Sequence, residues 1–252
     1  MYMYRKLLIS AIVFLALVSC TKEAESGDVQ TCFRAYIDRD MATLTKSGDD
    51  TETLVADKAV FQAWKGDVKA VEVMQTFVPD ETAVTFSGVK LVIGVEYEIC
   101  IMVYSDGYYD TSDLRSLSLA TDKDFDGKTA QFDAFCYYST VTCGQDDAVH
   151  DVTLKRPLAK VSFSAAESQS AHISFTAPTT LNLKTGAVSG SRNVEYTATP
   201  GASGVTAFDY VFATDEVSQL SYTFKLGEDE SRTTQVPVKR NTKTNIIHNI
   251  TN

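Results

Sequence analysis

The sequence predicts an all-β protein built of antiparallel β-sandwiches, and three observations support this fold class. Short runs alternate apolar and polar residues and are rich in β-branched and aromatic side chains, which is typical of half-buried strands. Glycine, aspartate and proline separate these runs, which predicts tight turns between neighbouring strands. No stretch keeps a helical period for three turns, so we expect any helix to be short and peripheral.

The run "VEYEICIMVYSDG" shows the strand pattern in its simplest form. Its alternate positions from Val95 to Val103 form one apolar face, whereas Glu96 and Glu98 begin the opposite face. Such alternation is typical of a strand with one face in the core and the other toward solvent. Similar runs precede it, in "TCFRAYI", "KAVFQAW" and "AVTFSGVKLVI", and follow it, in "HISFTA", "AFDYVFAT" and "QLSYTFKL".

A polar connector divides these runs into two groups of similar length. It reads "GQDDAVHD" and extends from Gly144 to Asp151. We place a domain boundary there, which gives an N-terminal β-sandwich domain at residues 31–147 and a C-terminal one at residues 148–252. Each domain exceeds about 100 residues, which is enough for a seven-stranded sandwich.

The first 30 residues have the composition of a targeting segment followed by a tether. Arg5 and Lys6 precede an uncharged apolar run that is shorter than the roughly 20 residues of a membrane span, which predicts a signal peptide at residues 1–19. The run ends in "LVSC", which resembles the lipobox of bacterial lipoproteins and implies lipidation of Cys20. Residues 20–30 would then tether the protein to a membrane. The alternative is an ordinary secretory signal with an incidental cysteine.

The charge of the chain argues against nucleic acid as a partner. It has 23 basic and 33 acidic residues, a net charge of −10 at pH 7. Such a surface repels phosphate backbones, and no basic stripe compensates for it.

Four cysteines follow Cys20, and their number leaves two interpretations open. They are Cys32, Cys100, Cys136 and Cys143. An exported chain could join one pair, for example Cys136 and Cys143, but it could equally bury four free thiols. No Cys-x-x-Cys occurs, so neither a zinc site nor a thioredoxin-type motif is predicted.

The stretch "TDKDFDGKTAQFD" has the ligand spacing of a calcium-binding loop. Counted from Asp122, the ligand positions of an EF-hand fall on Asp122, Asp124, Asp126, Lys128 and Asp133. The flanking segments are strand-like, so the helix pair of an EF-hand is missing, and "DG" by itself also predicts a hairpin turn. The stretch is therefore either a structural calcium loop or a surface turn without metal.

Three aromatic residues form a second candidate site. Trp64 is the only tryptophan, and Tyr108 and Tyr109 lie in "DGYYD", between two aspartates. Planar rings beside carboxylates can stack on sugars, which makes a glycan-binding edge one interpretation. The other is a core tryptophan and a plain turn.

No catalytic constellation occurs in the sequence, so we predict that the protein is not an enzyme. The three histidines, His150, His172 and His248, lie in separate segments. Neither a Gly-x-Ser-x-Gly motif, a phosphate loop nor a His-Glu-x-x-His motif is present.

Several phrases of the second half resemble those of fimbrillin-like lipoproteins of the type V pilus superfamily, which belong to Gram-negative gut and oral anaerobes. They are "VHDVTLKRPLAKVSF" at 149–163, "LNLKTGAVSG" at 181–190 and "VPVKRNTKTNIIHNIT" at 236–251, preceded by "DAF" at 133–135. The resemblance implies two tandem Greek-key, transthyretin-like β-sandwiches, anchored by lipid at the outer membrane and displayed on the cell surface.

The same resemblance implies a mode of assembly. In pilus-forming members a protease cuts after an arginine near the N-terminus, and a strand of a neighbouring subunit fills the groove that opens. Arg34 and Arg39 are the available sites here. The chain ends soon after "TKTNIIHN", so we expect an anchor, a minor subunit or an adhesin-like component whose partners are fimbrial subunits or host and bacterial surface ligands. The alternative is a surface lipoprotein that captures polysaccharide.

Overall fold

A computed structural model describes residues 27–45, 54–145, 148–166, 169–202 and 204–248. The predicted signal peptide at 1–19 and Cys20 lie outside the described residues. The first strand starts at Asp28, so the last residues of the predicted tether belong to a strand. The strands of the first half are β1 (Asp28–Ile37), β2 (Ala42–Thr43), β3 (Lys58–Lys65), β4 (Val68–Thr76), β5 (Ala83–Val92), β6 (Glu96–Tyr104), β7 (Tyr109–Asp110), β8 (Ser116–Leu119) and β9 (Phe135–Thr142).

The second half is also made of strands. They are β10 (Val149–Leu154), β11 (Leu158–Ala165), β12 (Ala171–Ala177), β13 (Thr180–Asn182), β14 (Val188–Ser189), β15 (Arg192–Ala198), β16 (Val205–Phe212), β17 (Ser218–Leu226), β18 (Arg232–Val238) and β19 (Thr242–His248). Within the described ranges the only helical segment is a single 3-10 turn, Ala130–Phe132. The predicted all-β sandwich class is confirmed.

Two units of seven strands share one strand order. In the first unit a sheet β10-β1-β5 faces a sheet β4-β3-β6-β9. In the second unit, the sheet β19-β11-β16 corresponds to β10-β1-β5, and the sheet β15-β12-β17-β18 corresponds to β4-β3-β6-β9. Strand β2 is added beside β19. In both units the first strand lies between an antiparallel neighbour and the last strand of the unit, which runs parallel to it.

A small sheet joins the two units. The segment between β6 and β9 of the first unit contributes β7 and β8, and the segment between β12 and β15 of the second contributes β13 and β14. Leu117 of β8 pairs with Leu181 of β13, and both side chains are fully buried. The small sheet therefore ties the units together through main-chain hydrogen bonds and apolar packing.

The strand order bears on the boundary at 147/148 that we predict from the sequence. Strand β10 follows that boundary, yet it pairs with β1 of the first unit, with Cys32 opposite Val149 and Ile37 opposite Leu154. Around the polar connector, the chain passes from β9 in one sheet of the first unit to β10 in the other sheet of the same unit. By strand pairing, the change of unit occurs between Leu154 and Leu158.

Two apolar cores fill the sandwiches. Phe33, Phe61 and Phe86 lie at the centre of the first core, with ring centroids 4.8 and 5.7 Å apart in sequence order. In the second core Phe163 packs against Phe224 at 5.0 Å. The period-2 burial of β1 and β5 explains why their alternating sequences form strands, because one face enters the core and the other meets solvent.

The four described cysteines are free thiols, so the disulfide interpretation is wrong for this structure. Cys136 belongs to β9 and Cys143 follows its end. At about 3.3 Å per residue, an extended strand separates these two positions by roughly 23 Å, beyond the reach of a disulfide. Burial raises the pKa of the Cys136 thiol to about 12, which keeps it protonated and unreactive.

Candidate functional site

Strand β1 is the element on which assembly would depend, and it is bonded on both sides. Its main chain pairs with β5 from Asp28 to Tyr36 and with β10 from Cys32 to Ile37. Phe33 and Ala35 are fully buried in the first core. The strand therefore completes the sheet as a central member.

The structure distinguishes the two arginines that the sequence proposes for processing. Arg34 lies within β1, so its peptide bonds are held between two neighbouring strands, although its side chain is exposed. Arg39 lies after the end of β1 in an exposed connection, where its guanidinium donates to the carbonyls of Pro79 and Glu81. A protease needs an accessible segment outside a paired strand, and the exposed connection at Arg39 meets this need better than the strand at Arg34.

A buried ion pair joins the two units near Arg39. Arg156, between β10 and β11, donates through Nε and Nη2 to the two carboxylate oxygens of Asp133, at 2.7 and 3.0 Å. Its Nη1 donates to the carbonyl of Arg39 at 2.6 Å. Both charged side chains are less than one-tenth exposed. Burial raises the pKa of Asp133, and the guanidinium opposes that rise.

The predicted calcium ligands are occupied by protein groups. Asp124 pairs with Arg192 at 2.5 Å, and Asp126 accepts from Thr129 and from the amide of Lys128. The Lys128 carbonyl, the position-7 oxygen, accepts from the Ala130 amide. These bonds form a compact turn, so the hairpin-turn interpretation describes the loop.

The other two carboxylates of the predicted calcium loop, Asp122 and Asp133, also have protein partners. Asp133 is committed to the buried ion pair, and Asp122 is 3.5 Å from Lys123. Across the described ranges, no group of three or more His, Cys, Asp or Glu side chains is placed to hold a metal ion. The structure thus corrects the calcium interpretation: the EF-hand spacing is present, but the oxygens do not converge.

Trp64 is a core residue, which corrects its assignment to a glycan site. It is 7% exposed, and its Nε1 donates to Gln62 Oε1 at 3.1 Å. The guanidinium carbon of Arg115 lies 4.0 Å from the centre of its ring and the Lys69 ammonium 5.6 Å. Cations therefore cover the ring face that a sugar would need.

The two tyrosines of the same predicted site are also committed to packing. Tyr109 is 6% exposed, and its hydroxyl donates to the Phe132 carbonyl. Tyr108 is half-buried and contacts Phe132 edge to face at 5.2 Å, with Lys123 over its ring. The aromatic set therefore forms part of the packing between the units.

Glu98 is the centre of a polar cluster that links the units. Its carboxylate accepts from Lys184 at 2.7 Å, Tyr138 at 2.5 Å and Arg115 at 3.3 Å. Lys184 belongs to the second unit, whereas the other residues belong to the first. The Lys184 and Tyr138 hydrogen bonds lower the pKa of Glu98 to about 2, so the carboxylate stays charged at neutral pH.

Beside this cluster an open cleft of about 550 Å³ lies between the units. The start of β9 and the residue after β10 form one wall, and the turn between β18 and β19 forms the other. Lys155, Arg156, Lys239 and Arg240 line the cleft, whereas Asp215 is the only acidic residue of its lining in the described part of the chain. Sequence reasoning missed the cleft because its residues come from distant segments, and only the "LKR" and "VKR" clusters signalled it.

The histidines remain apart from one another, as their separate segments indicate. His150 stacks on Phe33 at 4.6 Å, His172 contacts Glu195 at 3.0 Å and His248 packs near Phe224. No described helix is long and apolar enough to cross a membrane.

Solved structures with similar folds come from species of Bacteroides and Porphyromonas. One is a candidate adhesin from Bacteroides ovatus, with a TM-score of 0.55 and 11% identity over 89% of this chain and 88% of that chain. Another is a candidate polysaccharide-binding protein from Bacteroides thetaiotaomicron, with a TM-score of 0.54 and 8% identity over 80% and 78%. A third is the fimbrial anchor protein Mfa2 from Porphyromonas gingivalis, with a TM-score of 0.50 and 12% identity over 78% of both chains.

These similarities show a fimbrillin-like fold, as the sequence resemblance implies. No curated protein matches the sequence. A family model matches residues 24–250, almost the whole chain. This chain therefore belongs to the family of unknown function DUF6562.

Proposed function

We propose that this protein is a non-enzymatic cell-surface component of a fimbrial or adhesive system, acting as an anchor, a minor subunit or an adhesin. Its fold is similar over most of its length to proteins named as an adhesin and as a fimbrial anchor. The observation that carries the proposal is the position of β1, a central strand joined to the rest of the unit through exposed Arg39.

Attachment to the outer membrane through lipid on Cys20 is part of the proposal. The lipobox-like "LVSC" after a short apolar run supports it. Labelling cells with a palmitate analogue should mark the wild-type chain, whereas Cys20→Ser should stay unlabelled and leave the membrane fraction. Labelling of Cys20→Ser would contradict the anchor.

Assembly would follow from removal of β1. Cleavage after Arg39 leaves β1 held by its hydrogen bonds to β5 and β10, by the bonds of Arg39 and by buried side chains such as Phe33. Its departure exposes two strand edges and an apolar groove. A strand of another subunit could then restore the main-chain bonds and fill the groove with alternate side chains.

Limited digestion with an arginine-specific protease tests this proposal. The full chain in detergent should be cut after Arg39 first, and the cut protein should form oligomers in native mass measurements. Arg39→Ala should abolish the cut and the oligomers, whereas Arg34→Ala, the matched control, should leave both unchanged. Cut protein that stays monomeric, also with purified fimbrial material present, would defeat the assembly role.

Polysaccharide capture is the second candidate function. The similarity to a candidate polysaccharide-binding protein favours it. The aromatic set at Trp64, Tyr108 and Tyr109 cannot carry it, because these residues are committed to packing. Any saccharide site must therefore lie elsewhere on the protein.

A further inference from the structure

We propose that the cleft between the two units binds an acidic saccharide, with a carboxylate or sulfate held by Lys155 and Lys239. The inference rests on the proposed surface role, since it names the class of ligand that such a protein would meet. It depends on the charge, an unpaired polar atom and the tyrosines of the cleft.

Charge is the first support. Arg156 and Arg240 are neutralised by Asp133 and Asp215, respectively. Lys155 is exposed and Lys239 half-buried, and neither has a carboxylate oxygen within 4 Å in the described part of the chain. The cleft therefore has two cations available to a ligand in a protein whose net charge is −10. A local excess of positive charge on an acidic protein favours the binding of an anion.

The main chain fixes the position of both lysines. The amide and carbonyl of Lys155 bond to the carbonyl and amide of Cys136, at 3.0 and 2.9 Å. The carbonyl of Lys239 accepts from Thr242 at 2.6 Å, which closes the turn between β18 and β19. The backbone of each lysine is thus held in a defined wall of the cleft that both residues line.

Asn241 is the second support. Its φ of 55° is in the left-handed region, the only such non-glycine residue in the described ranges. Asparagine tolerates this conformation better than most residues, and Asn241 lines the cleft. Its Oδ1 is buried and has no hydrogen-bond partner in the part of the chain that the structure describes. A donor on a ligand, such as a sugar hydroxyl, could satisfy this acceptor when the side chain turns its amide into the cleft.

Two neighbouring tyrosines favour a saccharide over an acidic peptide. Tyr137 and Tyr138 line the cleft and are half-buried. Tyr137 packs against the first core and Tyr138 against the second, and the accessible remainder of each residue lines the cleft, where the Tyr138 hydroxyl is fixed by its bond to Glu98. Sugars combine apolar C–H faces with hydroxyls, and an acidic sugar matches all three elements of the cleft.

Calorimetry on the full chain in detergent tests the inference. We would titrate oligogalacturonate, a sulfated chondroitin oligosaccharide and a neutral cello-oligosaccharide. We expect heat from an acidic saccharide and none from the neutral one, and the stronger acidic ligand identifies the group. The Lys155→Ala/Lys239→Ala double variant should weaken binding by tenfold or more, about the effect of one lost charged hydrogen bond. Asn241→Gly keeps the backbone conformation and should weaken binding several-fold.

The matched control is Lys65→Ala/Lys90→Ala, which removes the same charge from exposed positions outside the cleft. It should leave binding within twofold of wild type. The inference would be overturned by an equal loss of affinity in both double variants or by the absence of heat with either acidic saccharide. Equally tight binding of polyglutamate would also overturn it.

The saccharide-binding experiment and the oligomer experiment can fail independently of each other. If Arg39-dependent oligomers form and no acidic saccharide binds, the cleft inference fails and the fimbrial role stands. If an acidic saccharide binds and no oligomers form, the assembly role fails and the cleft inference stands.

Discussion

Strands β1 and β11 occupy equivalent places in their units but differ in their surroundings. Each lies between an antiparallel strand and a parallel one. In β1 buried and accessible residues alternate, and Arg34 and Tyr36 are exposed. In β11, the consecutive residues Ala159, Lys160 and Val161 are all at most 2% exposed. The first strand thus has a solvent face, whereas the start of the second is buried on both faces.

This difference indicates which of the two strands a strand of another subunit could replace. Removing β11 would uncover both of its faces and interrupt the chain at the joint between the units. Removing β1 would uncover one apolar face and two strand edges, which another strand can cover. Similar hydrogen bonding therefore has different consequences because the surroundings differ.

Arg156 is the place to break this comparison, because it precedes β11 and binds the carbonyl of Arg39 that follows β1. Arg156→Met should leave the Asp133 carboxylate buried without its cation. We expect the free energy of unfolding to fall by about 3–5 kcal/mol, measured by urea denaturation. Asp133→Asn/Arg156→Met removes both charges and should recover at least half of the loss. No recovery would mean that packing of the guanidinium over Phe135, at 4.4 Å, matters more than the charge.

Phe33 and Phe163 sharpen the comparison, since each is a buried phenylalanine of one of these strands. Replacing either with alanine should lower the free energy of unfolding by about 3–5 kcal/mol. After cleavage at Arg39, however, only Phe33→Ala should speed the loss of the β1 peptide, measured by mass spectrometry. Faster loss of the peptide in Phe163→Ala would show that β1 is held by the second unit as well.

Asp209 makes the second unit sensitive to pH. It lies in β16 beside β11, 1% exposed, and accepts from the Tyr196 hydroxyl at 2.5 Å. Burial raises its pKa from 3.8 to about 7. The neutral acid is therefore favoured by folding, and its contribution to stability is complete below pH 4 and lost as pH rises through 7.

The pH dependence follows from this sign. Lowering the pH from 8 to 5 should stabilise the wild-type protein by about 2–4 kcal/mol, taking 1.36 kcal/mol per pKa unit. In Asp209→Asn this gain should disappear, as measured by urea denaturation at each pH. The matched residue in the first unit is Glu96, exposed in β6, where Glu96→Gln should leave the gain intact. If the gain in stability persists in Asp209→Asn, the titration of another group causes it.

The sequence predicts the fold because period-2 patterning is local. The alternation from Val95 to Val103 is sufficient to identify β6 as a strand. The predicted solvent face is wrong, because Cys100, Met102 and Tyr104 on that face are buried in the other core. The polar connector was harder to interpret, because a loop between two sheets of one sandwich has the same composition as a linker between domains. Only the pairing of Cys32 with Val149, across more than a hundred residues, separates these cases.

The candidate sites were less predictable, because each depends on contacts between distant segments. The sequence leaves Trp64 as either a glycan-contact ring or a core residue, and only the fold brings Arg115 over the ring. The cleft lysines Lys155 and Lys239 are 84 residues apart in numbering and line one cleft only because the two units lie side by side. A spacing motif cannot report such proximity.

The smallest effect concerns the loop between β8 and β9, where the first unit contacts the second. Gly127 has a φ of 77°, and a Cβ there would lie 2.5 Å from the Tyr196 ring. The loop is thus held by packing on the second unit and by its own turn, and its aspartates serve protein partners. We expect millimolar calcium to change the melting temperature by less than about 1 °C, since a ligand stabilises only by differential binding to the folded state.

Calorimetry with calcium should likewise show no heat in wild type or in Asp124→Ala, which loses only an exposed ion pair with Arg192 worth about 0–1 kcal/mol. Heat that Asp124→Ala abolishes would mean that the loop opens to bind the ion and releases Arg192. Such opening would make the contact between the units dependent on calcium. The geometry favours the opposite result, because Asp133 could join a calcium site only by leaving Arg156 buried without its carboxylate.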